Sequence, residues 1–308
     1  MRLAGLALKH FKGVITGGRG TAEMCRRDAP VARRKELVIA VPASYLSTEH
    51  SLLLKTIKIG ILARLSAVFR VTRLLVYIDR EGVDKDAKLI KEVIEYMLTA
   101  PYLKKRLYPR KPELRYVGVL PPLQLPTHGV GGPRVGEVRE ALVLRDLGNT
   151  VLLDAGLGRY VRCRKPGRLP GKRVLVEITS LKPPRLRILQ PGEVKVYTGF
   201  KTDIVRGLKG ALSNAGSLLR VATSRLGEVL TAEKASRDAR EASARKGIAI
   251  FMGAPDRGLY EIARNEGFSV EEVFDRIYNT IPHQGTQTVR VEEAVAATLA
   301  IYNMFLES

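Results

Sequence analysis

The chain is poor in cysteine: Cys25 and Cys163 stand far apart, with no second pair. That excludes a disulfide framework and a cysteine-based metal site. Histidine is scarce too, and His10, His50, His128 and His283 keep none of the spacings that hold a metal, so no metal is expected. No apolar run reaches bilayer-spanning length, so no membrane partner is expected. Residues 3–7 are apolar but too few for a secretory signal, and the residues after them are basic and glycine-rich; a cytoplasmic location is expected. A GxxxxGK[ST] phosphate loop is missing, and GAPDRG does not match a dinucleotide fingerprint, which disfavours ATP chemistry and a reducing cofactor. Ser224 lies in TSRLG, not in a GxSxG elbow, and no Ser/His/Asp arrangement is evident.

The chain is rich in positive charge. Lys and Arg number 52 against 31 Asp and Glu, a formal charge of +21 over 308 residues. Such an excess predicts a polyanionic partner, RNA or DNA before a merely solvated basic surface. Apolar residues make up 45% of the chain, ordinary for a folded protein, and the length allows two domains or one with an insertion.

Residues 1–35 lack periodicity and carry nine Lys or Arg around GGRG, the mark of a loose basic extension. A strand is expected at 36–41, then a helix over 52–69 capped by Ser47 or Thr48. A second strand at 73–78 and a helix over 84–98 come next, with a further turn near 102–108 after Pro101. This is the start of a parallel sheet with covering helices, assigned to 36–112. From 113 to 191 the pattern changes to short β-like runs between Gly and Pro, at 115–120, 136–144, 150–153, 160–161, 173–178 and 185–188. We read a small inserted barrel with a basic edge, Arg159, Arg162, Arg164, Lys165, Arg168, Lys172 and Arg173, fit to grip RNA near a pocket. It shows no aromatic ladder; Tyr116 and Tyr160 are its only aromatics.

The α/β pattern resumes over 192–308. A helix is expected at 204–214, a strand at 218–222, a helix at 231–246 and a buried strand in GIAIFMG at 247–253. A helix at 256–265, a short strand at 276–281 and a last helix at 291–306 complete it. Three strand ends carry polar, glycine-bearing loops: 223–227, 253–258 and 279–285. In open α/β sheets such ends line the ligand crevice.

The motifs VATSRLG at 221–227, IFMGAPDRGLYEI at 250–262 and YNTIPHQGTQTVRVEEAVAATLA at 278–300, with VIAVPASYLS at 38–47 and the β-rich insertion, resemble the SPOUT class of RNA methyltransferases. Within it the chain is similar to the archaeal and eukaryotic uridine N3-methyltransferase group, over nearly everything after residue 35. The basic N-terminus is the departure from that pattern. The resemblance implies an α/β fold with a mostly parallel sheet, a C-terminal trefoil knot that evades ordinary connection rules, and an OB-like insertion. It implies S-adenosylmethionine in the knot, a homodimer, and RNA, ribosomal RNA first, as partner. By motif match the methyl donor would be held by Thr223, Ser224, Arg225, Gly227, Gly253, Ala254, Pro255, Gly258, Asn279, Ile281, Pro282, Gly285, Thr286, Thr288 and Val289.

Methylation of uridine N3 requires removing a proton or stabilising charge on the flanking carbonyl oxygens. Arg257 is expected to supply positive charge, and Asn279 and Gln284 to meet the uracil edge. Glu261, Glu292 or Glu293 would accept the proton or orient another group, with Glu293 the carboxylate chosen for the catalytic set. Arg290 would neutralise a phosphate or pair with Glu293, and His283 would act as a base or cap a loop. Two alternatives stand beside this reading: methylation of another RNA atom, such as a ribose 2′-hydroxyl, and a non-catalytic RNA-binding factor of ribosome assembly.

Overall fold

The computed structural model describes residues 30–169 and 171–306. The expected loose extension therefore lies outside the described residues from 1 to 29. Its last residues are fixed: Val31 bridges Val196, and Arg33 donates from Nη2 to the Phe69 carbonyl at 3.1 Å and to Asn303 Oδ1 at 2.9 Å.

Strand β1 (Glu36–Pro42) is buried after its first residue and lies inside the sheet. A 3-10 turn (Ala43–Leu46) leads to helix α1 (Leu52–Val68). Its cap is Ser51, whose hydroxyl accepts from the Leu54 N–H at 3.2 Å, not Ser47 or Thr48, because Ser47 and Glu49 bond back to the 3-10 turn. Strand β2 (Arg73–Ile78) and helix α2 (Asp84–Leu98) come next; Asp84 and Asp86 sit at the positive end of the helix dipole, and Ala87, Ile90, Val93, Ile94 and Met97 form its inner stripe. Pro101 opens the short helix α3 (Pro101–Leu107), a position where its missing N–H costs nothing.

The insertion begins with 3-10 turns at Pro112–Leu114 and Val117–Val119, where the sequence predicted a strand over 115–120. That run is apolar but has no alternation and no partner strand. The strands that do form are β3 (Val138–Asp146), β4 (Thr150–Asp154), β5 (Val161–Arg164), β6 (Arg173–Leu181) and β7 (Pro184–Ile188), paired antiparallel in the order β5-β4-β3-β6-β7. The sheet curls until its edges meet: the Cys163 thiol of β5 donates to the Leu186 carbonyl of β7 at 3.0 Å. Val151, Leu153, Cys163, Val174, Val176, Ile178 and Leu186 fill this nearly closed barrel.

Back in the parallel sheet, Lys201–Arg206 is a strand (β8), not the start of the helix expected at 204. The helix α4 (Gly207–Ala215) begins only after it. Strand β8 holds the sheet edge beside β2 and is only partly buried, so its apolar signal is weak. Strand β9 (Leu219–Val229), helix α5 (Ala232–Ala244), strand β10 (Gly247–Phe251), helices α6 (Leu259–Asn265) and α7 (Val270–Val273), strand β11 (Arg276–Asn279) and helix α8 (Val291–Asn303) complete the chain. All six strands run parallel in the order β11-β9-β10-β1-β2-β8. Alternate residues of β1 serve two cores. Leu37, Ile39 and Val41 pack with α1, α2, α5 and α8, and Val38 and Ala40 pack with α4, α6 and α7.

This order fixes two ends. The carboxyl ends of β9, β10 and β11 open on one side of the sheet. The barrel joins at the other, because β8 enters it with Lys201 opposite Arg73, the first residue of β2. The barrel's attachment is therefore remote from the strand ends that the sequence marked as the crevice, not beside them.

Candidate active site

The three predicted loops meet. They line one cavity of about 610 Å³, bounded by the ends of β9, β10 and β11 and the first turn of α8. The sequence read 223–227 as a loop after a strand; it is a bulge within β9. The pairing of β11 jumps from Ala222, opposite Ile277, to Glu228, opposite Tyr278, so residues 223–227 leave the ladder, and 223–226 face the cavity. Gly227 closes the bulge against β11: a Cβ there would lie 2.7 Å from the Ile277 carbonyl oxygen. Only glycine permits that approach.

Of the expected residues, Thr223, Ser224, Arg225, Gly253, Ala254, Pro255, Arg257, Gly258, Asn279, Ile281, Gln284, Thr288 and Val289 line the cavity. Gly227, Pro282, Gly285, Thr286 and Glu293 do not. Sequence reasoning did not select Leu226, Met252, Asp256, Tyr260, Thr280, Val291 or Ala294, which also line it; the apolar ones carry no chemical signal and read as core or surface. Glu261, weighed as a proton acceptor, is on the wall, whereas Glu292 and Glu293 are not.

The loops are lashed together by their own polar groups. Thr223 Oγ1 donates to the Phe251 carbonyl at 2.9 Å, and the Ala254 N–H to the Arg257 carbonyl at 2.8 Å. Arg225 Nη1 reaches the Gln287 carbonyl at 3.2 Å, and Asn279 Nδ2 the Arg225 carbonyl at 3.4 Å. Asn279 Oδ1 accepts from the Ile281 N–H at 3.1 Å. Gln284 spends its amide N–H groups on the Thr286 and Gln287 carbonyls, at 2.8 and 3.1 Å. Asn279 and Gln284 therefore shape the loop, which limits what they can offer a bound base. Glu293 accepts from the Arg290 N–H at 2.9 Å and caps α8. His283 holds a left-handed backbone at φ 57° on the same loop.

Arg257 is the guanidinium of the cavity wall that is tied to a buried carboxylate. Its Nη2 lies 3.1 Å from Asp79 Oδ2, and the Asp79 side chain is fully buried. Asp79 also accepts from Ser44 N at 3.0 Å and Ser44 Oγ at 2.7 Å, so β1, β2 and the 253–258 loop converge on one carboxylate. Arg257 Nε is buried without a hydrogen-bond partner among the described residues. Next to it Arg80 pairs with Asp256 at 2.6 Å; burial raises the Asp256 carboxyl, but Arg80, a backbone hydrogen bond and the Arg257 charge together outweigh it, and the group titrates below the usual aspartate range. Tyr77, whose hydroxyl donates to the Met252 carbonyl, is pushed well up by burial, with Asp79 adding to the effect.

The match of the residues to S-adenosylmethionine is good. The volume suits a small-molecule site. Ile281, Val289, Val291 and Ala294 offer an apolar wall, and Gly253 brings backbone to the cavity edge, where a Cβ would crowd the Leu259 nitrogen at 3.1 Å. Among the described residues no group of His, Cys, Asp and Glu is placed to hold a metal ion, and no helix is long and apolar enough to cross a membrane.

The chain is similar to known proteins. An uncharacterized protein of Haloarcula marismortui is 33% identical over 276 residues, covering 85% of this chain and 96% of its own. The human 28S rRNA (uridine-N(3))-methyltransferase is 26% identical over 299 residues, covering 86% of this chain and 77% of its own. A crystal structure of an RNA 2′-O ribose methyltransferase covers 88% of this chain and 56% of its own at 13% identity and a TM-score of 0.34, a likeness too distant to carry weight. The family model described as "Putative RNA methyltransferase" matches residues 36–302, which takes in both pieces of the parallel sheet, the barrel and the whole cavity, and the chain belongs to that family of RNA methyltransferases.

Proposed function

We propose that the chain methylates N3 of a uridine in ribosomal RNA, with S-adenosylmethionine as donor. The observation that carries this reading is the meeting of the 223–227, 253–258 and 279–289 loops on one cavity, with an arginine anchored on a buried carboxylate in its wall. The human relative named for uridine N3 supports the choice of atom.

The bound donor supplies an electrophilic methyl group on sulfur. The chain's residues do the rest. Backbone groups of the three loops hold the donor, and the apolar wall from Ile281 to Ala294 takes its base. Arg257 places positive charge where a uracil carbonyl oxygen gains electrons, and Asp79 fixes the guanidinium before the substrate arrives. Glu261, the wall carboxylate without an ion pair among the described residues, accepts the N3 proton. Positioning the nucleotide in line with the methyl group provides most of the remaining acceleration. A target base must be unpaired or flipped to enter.

Three further features belong to this reading. The segment after β11 threads under the β9 bulge and forms the knot; support comes from the bonds that tie Arg225 to Gln287 and Asn279 to Arg225. The barrel is an OB-like RNA-gripping domain, in keeping with its five-strand order. A second copy docks on α1, where Leu54, Ile57, Ile61 and Val68 form an exposed apolar stripe at helical spacing. Calorimetry with S-adenosylmethionine and its demethylated product tests the enzyme reading: binding is expected, and no affinity with or without RNA would leave an RNA-binding factor in its place.

A further inference from the structure

The barrel's charge has an address. Residues 137–188 hold five carboxylates, and each is already taken. Glu137 pairs with Arg139, Glu140 with Arg173, Asp146 with Lys165, Asp154 with Arg106 and Glu177 with Arg187. Three of the bases left over lie where the barrel closes. On β5, Arg162 and Arg164 point out while Val161 and Cys163 point in. On β7, Arg185 points out while Leu186 points in. The Cys163–Leu186 bond at 3.0 Å places these two strands side by side, so Arg162, Arg164 and Arg185 share one exposed face. None of the three has an ion pair or side-chain hydrogen bond among the described residues. Exposed guanidinium groups gathered on one face repel each other, and no carboxylate among the described residues pairs with them.

We propose that this seam is a track for single-stranded RNA, a reading that rests on the RNA methyltransferase function and names where the chain grips its substrate away from the cavity. Two residues along a strand are about 6.7 Å apart, a spacing that a flexible strand can match with successive phosphates. At the start of β5 stands Tyr160, half exposed. Arg106 lies 5.5 Å from its ring centroid and donates to its hydroxyl at 2.7 Å, which fixes the ring as an aromatic surface for an unpaired base. A positive groove with one fixed aromatic suits a single strand, whose bases are free to stack, better than a duplex, whose bases are not. Because the barrel joins the sheet at the end opposite the cavity, the seam holds a segment of RNA other than the methylated nucleotide.

The test compares the full chain with an Arg162→Ala/Arg164→Ala/Arg185→Ala variant, using a short fluorescent oligouridine and a duplex RNA of the same length. Binding is followed by anisotropy over a range of salt, and donor binding by calorimetry on the same samples. The variant should keep donor affinity, lose about tenfold or more in oligouridine affinity at low salt, and show a salt slope shallower by about 2, from about 0.7 per lost phosphate contact. A Lys85→Ala/Lys88→Ala control on α2 should leave the slope unchanged. If wild type binds donor and RNA but the seam variant keeps the wild-type slope, or if duplex binding falls as much as oligouridine binding, the track is overturned and the methyltransferase reading stands. If wild type binds neither donor nor RNA, both fall together.

Discussion

Replacing Asp79 with asparagine probes the site at its anchor. The Asp79 carboxylate is fully buried and receives three donors: Ser44 N at 3.0 Å, Ser44 Oγ at 2.7 Å and Arg257 Nη2 at 3.1 Å. Asparagine keeps one acceptor oxygen and turns the other into a donor that faces donors. It also leaves Arg257, only 18% exposed, with only the Asp256 carboxylate, 4.0 Å from its Nε, as counter-charge. Breaking a buried pair from one side costs about 3–5 kcal/mol, most of it the stranded charge. That cost appears as a lower urea midpoint at unchanged slope. If Asp79 acts on chemistry through Arg257, single-turnover methyl transfer should fall by about tenfold to a hundredfold, within the range for losing a preorganised charge. Donor affinity should stay close to wild type. A double-mutant cycle separates this from a structural effect: once Arg257→Ala is present, Asp79→Asn should slow the reaction no further. Rate losses that multiply in the double variant would refute the idea that Asp79 works by holding Arg257.

Gly227→Ala forces a Cβ to within 2.7 Å of the Ile277 carbonyl oxygen, so the β9 bulge must shift; donor binding measured by calorimetry should weaken by tenfold or more, from roughly 1.4 kcal/mol upward, while the barrel's fold is untouched. Burial raises the Glu292 carboxyl, so in the native state it holds its proton above the usual glutamate range. The native state then binds more protons than the unfolded one in that window, and its share of stability falls as pH rises. Glu292→Gln should therefore gain stability relative to wild type as pH climbs past the usual glutamate range, read by denaturant unfolding at several pH values; a pH-independent difference contradicts this. An Ile61→Asp change in the exposed stripe of α1 should convert a dimer to monomers by light scattering, and an unchanged mass would remove α1 from the interface.

Much of the parallel sheet could be read from residues alone. Buried strands such as GIAIF announce themselves as apolar runs, and α2 through its regular stripe. Edge strand β8 was missed because half of it faces solvent and Ile204 and Val205 fit a helical pattern as well. The run at 115–120 misled because its apolar residues lack alternation and none of them is buried, so no sheet face or core holds them as a strand. At the site, glycine, polar and charged residues at strand ends located the loops. What no single sequence discloses is which polar groups those loops consume themselves. Gln284 and Asn279 look like ligands of a base until their partners are seen to be neighbouring carbonyls. Glu293 looks like a base until it is seen to cap α8. Asp79 closes a strand in the sequence and gives no sign there of meeting Arg257, because the pair joins residues 178 positions apart.

The atom that receives the methyl group decides between uridine N3 and the ribose 2′-hydroxyl. Purified protein, ribosomal RNA and S-adenosylmethionine labelled in the methyl group, followed by digestion to nucleosides and mass spectrometry, reads it directly. The account predicts label in 3-methyluridine, lost with Arg257→Ala. Label in a 2′-O-methyl nucleoside, or no transfer to RNA under conditions where the donor binds, would contradict it.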